Sequence, residues 1–263
     1  MVQNLIIISV LTMIIHMVET SSYALRLAGV RINKLAVALS LLGITVLVSR
    51  TANLIQAPMT AKFIDYSKTA IQFDVLEYLR IILLAASLGT LLGILLFPTL
   101  VNLWQRVISR FEIAGSLPKL FLSVTIGQLK NTRHYIQRPS FRLSGLRYLG
   151  IPKRFILLNV LVTAIYTVGV LSSLYAAHLV PELGTAASQS SGLINGIATI
   201  LLTIFIDPQI GLITDKACNS ELYKEKLGKI YGLLMISRFF GTLLAQFLLI
   251  PAAYLISIVV KLF

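Results

Sequence analysis

Two stretches of this chain, Ile81 to Val101 and Phe155 to Val180, run for more than twenty residues without one Asp, Glu, Lys or Arg. A helix of about 20 apolar residues crosses the roughly 30 Å hydrocarbon layer of a bilayer, with every backbone polar group satisfied internally. No soluble fold hides two such blocks together with the four that flank them. The flanking blocks lie at roughly 4–27, 35–57, 192–213 and 230–258, and with 80–101 and 155–179 they predict six spans. The chain is therefore expected to be an all-α polytopic membrane protein, a single transmembrane domain over 1–263. Charged residues are 13% of the sequence, about half the usual soluble share. The sixth block is long for one crossing, and Pro251 predicts a bend in it. The N-terminus has no basic region or small-residue cleavage site before its apolar run, so it reads as a retained span and not a signal peptide.

Loop charge predicts the orientation. Residues 102–154 carry Arg106, Arg110, Lys119, Lys130, Arg133, Arg138, Arg142, Arg147, Lys153 and Arg154 against Glu112 alone, +9 of the net +13. Lys and Arg accumulate in cytoplasmic loops. The same rule puts Arg26, Arg31 and Lys34 inside, with Lys216, Lys224, Lys226 and Lys229. The loop at 180–191 has no Lys or Arg, and the loop at 58–79 is balanced, so both are expected outside with both termini. This explanation of the positive charge leaves no need for a nucleic-acid partner. Leu117, Leu120, Phe121, Leu122, Val124 and Ile126 within the basic loop suggest a helix lying on anionic membrane lipids.

Sliding the chain against itself by 188 residues sets Glu19 on Asp207 and Ser49-Arg50 on Ser237-Arg238. The alignment overlays the first two spans on the last two, a parallel hairpin repeat; transporters often place their sites where repeats meet. Thin identity elsewhere leaves shared membrane composition as the rival reading. Polar residues also form stripes. Ser9, Thr12, His16, Glu19, Tyr23 and Arg26 recur at steps of three and four, hence on one helix face. Thr45, Ser49, Asn53 and Gln56 do so on the second span, Asn195, Thr199, Thr203 and Asp207 on the fifth, and Arg238, Thr242 and Gln246 on the sixth.

Most of these hydroxyls and amides are expected to serve helix packing. Arg50 and Arg238 differ, because an Arg inside a span costs at least about 2.5–3.5 kcal/mol. Each either closes a structural salt bridge or faces a water-filled path for an anion, and the second is preferred here. With the first hairpin turning near Val30, Glu19 and Arg50 differ in depth by roughly 13 Å at 1.5 Å per residue. The expectation is two layers, with the acids toward the cytoplasm and the arginines toward the outer half.

No phosphate-binding glycine loop, HExxH helix or nucleophile elbow occurs. One Cys and three scattered His predict neither a disulfide framework nor a metal site. No cofactor is expected. An enzyme would have to draw its base or nucleophile from His16, Glu19 or His178, and a membrane scaffold would work through the basic loop.

The stretch from His16 to Arg31 (HMVETSSYALRLAGVR) resembles the opening motif of the Amj family, the alternative lipid II flippases of bacteria. Ser49 to Pro58 (SRTANLIQAP) and the run from Asn195-Gly196 through Asp207-Pro208 to Asp215 resemble it as well. Length and six-span layout agree over essentially the whole chain. The resemblance implies movement of the undecaprenyl-pyrophosphate-linked peptidoglycan precursor, lipid II, to the outer leaflet of the bacterial cytoplasmic membrane, with a transporter in place of an enzyme. The alternative is an enzyme or assembly factor acting on polyprenyl-phosphate lipids. The candidate translocation residues are Arg50, Arg238, Glu19, Asp207, His16, Asn53, Gln56 and Asp215.

Overall fold

Apolar length becomes helix throughout the computed structural model of the chain, which describes residues 2–67, 74–116, 118–119 and 150–262. Helix α1 spans Val2–Arg31 and α2 Leu35–Ser67. Helices α3, Val75–Leu95, and α4, Phe97–Ala114, follow. Helix α5 is Lys153–Leu179, and a 3-10 turn at Pro181–Leu183 leads into the short α6, Gly184–Gln189. The next crossing is composite: α7, Ser191–Leu201, a π turn at Leu202–Ile206, and α8, Asp207–Cys218. Helix α9, Glu221–Leu262, closes the chain. Six of these segments are long and apolar enough to cross a membrane, and no strand occurs among the described residues.

Several boundaries differ from the sequence reading. The third span begins at Val75 and stops at Leu95, not Val101. Pro98 lacks an N–H and cannot continue a helix from α3, so it sits in the first turn of α4, where that N–H has no helical partner anyway. The second span runs ten residues past 57, carrying Pro58 inside the helix. The surface helix expected over 117–126 falls on residues 117 and 120–126, outside the described residues. The amphipathic segment that is described lies just upstream. In α4, Val101 and Ile108 are buried and Trp104, Val107 and Phe111 pack against the core, while Arg106, Ser109 and Arg110 stay outside.

Pro208 also accounts for the π turn. Its ring displaces the carbonyl of Ile204, and the Asp207 N–H reaches back five residues to Leu202 O. The same adjustment sets the side chain of Asp207 at the start of α8.

The turns between helices gather at two ends of the bundle. At one end Lys34, in the α1–α2 turn, is ion-paired with Glu112 of α4, and Lys224 of α9 reaches Asn33 at 3.5 Å. At the other end Ser67 of α2 and His178 of α5 are 3.0 Å apart, and Asp74 caps α3 through the Leu76 and Glu77 amides. Buried apolar residues form two clusters. One gathers Leu25, Leu27, Leu41, Tyr231 and Leu234 near the basic end; the other gathers Ile8, Phe63, Leu79, Ile82 and Leu249 toward the opposite end. The outside is as apolar as the inside: Leu54, Leu157 and Phe247 are 75%, 67% and 77% exposed. In water such a surface marks an interaction site; here it is the face a bilayer covers.

Lipid tails supply no apolar driving force between helices, so close backbone contact matters more than in a soluble core. Gly89 of α3 lies directly on the backbone of α1, where a Cβ would overlap the carbonyl of Met13. A backbone carbonyl cannot swing aside. Gly89→Ala should lower the thermal unfolding midpoint of detergent-purified protein by several degrees and reduce its yield. Gly43→Ala, at a glycine with open space around it, is the control. Equal midpoints for the two variants would refute the close packing of α1 on α3.

Candidate functional site

The polar stripes meet between the two apolar clusters. Glu19 of α1 is the centre of the largest constellation. Its Oε2 accepts from Arg238 Nη2 of α9 at 3.2 Å and its Oε1 from Ser49 Oγ of α2 at 3.0 Å. Both charged side chains are mostly buried, at 15% and 18% exposure. Next to Arg238, Ser237 accepts from Asn159 Nδ2 of α5 at 2.6 Å, and the same amide donates to Leu234 O at 3.1 Å. Tyr166 of α5 lies beside Glu19, and Tyr23 of α1 beside Arg238.

This arrangement overturns the two-layer expectation. The ion pair joins an acid of the first hairpin to an arginine of the second, at one depth. The error lies in the turn. Asn33, not Val30, occupies the reversal, in the left-handed region at φ 54° that Asn tolerates. Glu19 is then 14 residues before the turn and Arg50 17 after it, a depth difference of only about 4.5 Å. Ser49 touches Glu19 accordingly.

Around the pair is a cavity of about 320 Å³ lined by Glu19, Tyr23, Arg26, Thr45, Arg50, Thr163, Tyr166, Thr199, Asp207 and Arg238. A second cavity, of about 300 Å³, is lined by Thr12, His16, Arg50, Asn53, Gln56, Tyr166, Thr167, Asn195 and Thr199. Arg50, Tyr166 and Thr199 belong to both. Arg50 therefore stands where the two cavities adjoin, on a path with apolar as well as polar walls. It has no hydrogen-bond or ion-pair partner among the described residues, unlike Arg238. The path opens sideways. Helix α2 packs chiefly on α1 and α7 chiefly on α5, with little contact between α2 and α7. Val46 and Arg50 on one wall and Thr199 and Asp207 on the other are all exposed lining residues.

A family model described as Amj, alternate to MurJ, matches residues 11–260. The chain belongs to the Amj family. A relative from Bacillus subtilis (strain 168), named lipid II flippase Amj, is 40% identical over 256 residues, 95% of this chain and 94% of its own length. No solved structure matches the chain.

Of the eight residues singled out in this Amj chain, seven line the joined cavities: Glu19, Asp207 and Arg238 the first, His16, Asn53 and Gln56 the second, and Arg50 both. Asp215 does not join them; it is exposed near the end of α8, one turn before Asn219, whose amide bonds the Asp215 carbonyl. Sequence reasoning passed over Tyr166 and placed Arg26 in a polar stripe and among the loop charges, not in the site. A signal for Tyr166 was present: Asn159, Thr163 and Tyr166 recur at steps of four and three in an otherwise apolar span.

Proposed function

We propose that this chain moves lipid II from the inner to the outer leaflet of the bacterial cytoplasmic membrane; its Bacillus subtilis relative is named a lipid II flippase. The observation that carries the reading is Arg50, a guanidinium without a partner among the described residues, placed where two cavities adjoin inside a bundle of membrane-crossing helices. A pyrophosphate matches a guanidinium fork in charge and geometry. Arg26 lines the same cavity, and its Nε is buried without a hydrogen-bond partner among the described residues. The lateral seam between α2 and α7 suits a substrate whose headgroup travels through protein while its polyprenyl tail stays in lipid. Outward movement of an anion runs with an inside-negative potential, about 2.3 kcal/mol per charge per 100 mV, so no nucleotide motor is required.

The enzyme alternative is weaker on the same geometry. Glu19 is held by Ser49 and Arg238, and His178 lies at the far end of the bundle beside Ser67. Purified protein in liposomes carrying labelled lipid II separates the readings. Unchanged lipid reaching the opposite leaflet supports the flippase; a product of altered mass supports the enzyme; neither supports a scaffold.

The orientation belongs to this proposal as well: both termini outside, the basic 102–154 segment in the cytoplasm against anionic lipid headgroups. With Cys218 replaced by Ser, a cysteine at Ser188 should react with an impermeant maleimide in intact cells, and one at Ser109 should react only after permeabilisation. The reverse pattern would invert the topology.

A further inference from the structure

The second cavity differs in chemistry from the first. Apart from Arg50 at its mouth, its polar lining is hydroxyls, amides and one imidazole, against apolar walls from Ile15, Leu83 and Val170. Three of those side chains hold a buried polar atom with no hydrogen-bond partner among the described residues: His16 Nδ1, Gln56 Oε1 and Asn195 Oδ1. His16 and Gln56 are themselves more than nine-tenths buried. Their positions are fixed. Gln56 Nε2 donates to Thr12 Oγ1 at 2.8 Å, and Thr12 in turn donates to Ile8 O at 2.8 Å. The Asn195 amide packs directly over Gly169 of α5 with Oδ1 toward that glycine, so this oxygen belongs to the helix contact and is not turned into the cavity. Buried polar groups are almost always satisfied, and unsatisfied ones call for an occupant.

The Gln56 oxygen, without a donor, needs a ligand that donates a hydrogen bond; the imidazole nitrogen can accept or donate according to its tautomer. A second anion would meet that acceptor unfavourably. The volume is at the lower end for small-ligand pockets, enough for one ring but not for a whole headgroup. From these features we infer that the cavity lined by His16, Gln56 and Asn195 is a glycosyl subsite. It takes the hydroxyl- and amide-bearing sugar attached directly to the pyrophosphate held at Arg50. The inference rests on the flippase reading and deepens it, because it makes the chain selective for glycosylated polyprenyl pyrophosphate over the sugar-free lipid. Sites built to hydrogen-bond substrate hydroxyls discriminate strongly against analogues that lack them, because the protein groups are then left unpaired.

The test compares binding of two lipids, lipid II and undecaprenyl pyrophosphate, to the full chain in nanodiscs by native mass spectrometry. The wild-type chain should prefer lipid II by at least roughly tenfold. Gln56→Met, which removes the acceptor, should shrink that ratio by about three- to tenfold. Gln56→Glu, which keeps an acceptor and adds a charge, guards against a merely structural effect and should retain more of the ratio than Gln56→Met. Equal wild-type affinity for the two lipids, or a Gln56→Met variant that leaves the ratio intact, would overturn the glycosyl subsite while the flippase reading stands. Binding of neither lipid would bring down both.

Discussion

Arg50→Gln should abolish measurable lipid II transport in proteoliposomes while leaving insertion and yield at the wild-type level. Arg50 has no partner among the described residues, so its removal strands no buried charge and breaks no ion pair. The loss falls on the substrate. A hydrogen bond to a charged group contributes about 1.5–3 kcal/mol, a factor of roughly 10 to 150 in affinity. Arg50→Lys should recover only part of this, since an ammonium keeps the charge but cannot offer two parallel donors. Its position at the junction of the two cavities makes the effect larger than for any residue that lines only one. Transport by Arg50→Gln at wild-type rates would remove Arg50 from the path, and with it the main support for pyrophosphate passage.

The second large effect concerns Glu19 and Arg238, and it runs in the opposite order, stability first. Arg238→Gln leaves the carboxylate of Glu19 mostly buried with only Ser49 to bond it. Removing one partner of a buried pair costs about 3–5 kcal/mol. The modest residual exposure of the two groups puts the expectation at the lower end, visible as a sharp fall in folded yield. Adding Glu19→Gln removes the stranded charge and should restore yield, since neutral amides of similar shape can be nearly as stable as the pair. Transport should stay low, because the double variant removes one of the cations that line the first cavity. Recovery of both yield and transport in the double variant would make the pair purely structural. Arg50→Gln combined with Glu19→Gln should show no rescue, because Glu19 is bonded to Arg238 and not to Arg50.

The misjudged depth of Glu19 shows where sequence reasoning fails. Moving the turn of the first hairpin from Val30 to Asn33 changes the offset between Glu19 and Arg50 from nine residues to three, and so decides whether the two can be level. Propensity does not fix a turn to within three residues when Gly29, Asn33 and several charges all offer a stop. Gly29 instead serves the closure of the hairpin, lying against Ala38 where α1 meets α2. The third span was misplaced for a related reason. Hydropathy continues unbroken from Leu95 through Val101, and only the missing N–H of Pro98 divides it into α3 and α4.

The sequence by itself determined the number of crossings and the inward turn of the polar stripes on α1 and α2, whereas Thr199, Thr203 and Asp207 of the fifth span are exposed. Each depends on a local quantity: transfer of a side chain into hydrocarbon is summed residue by residue along a helix. Which stripes would meet was decided by tertiary structure alone. Glu19 and Arg238 are 219 residues apart, and no pattern within either helix selects one for the other. Helix rotation and crossing select them, through contacts such as Gly89 on the Met13 backbone and Gly241 against Thr163. Close backbone approach at those glycines seats α3 on α1 and α9 on α5. The bundle so built pairs Arg238 with Glu19 and leaves Arg50 without a hydrogen-bond or ion-pair partner among the described residues.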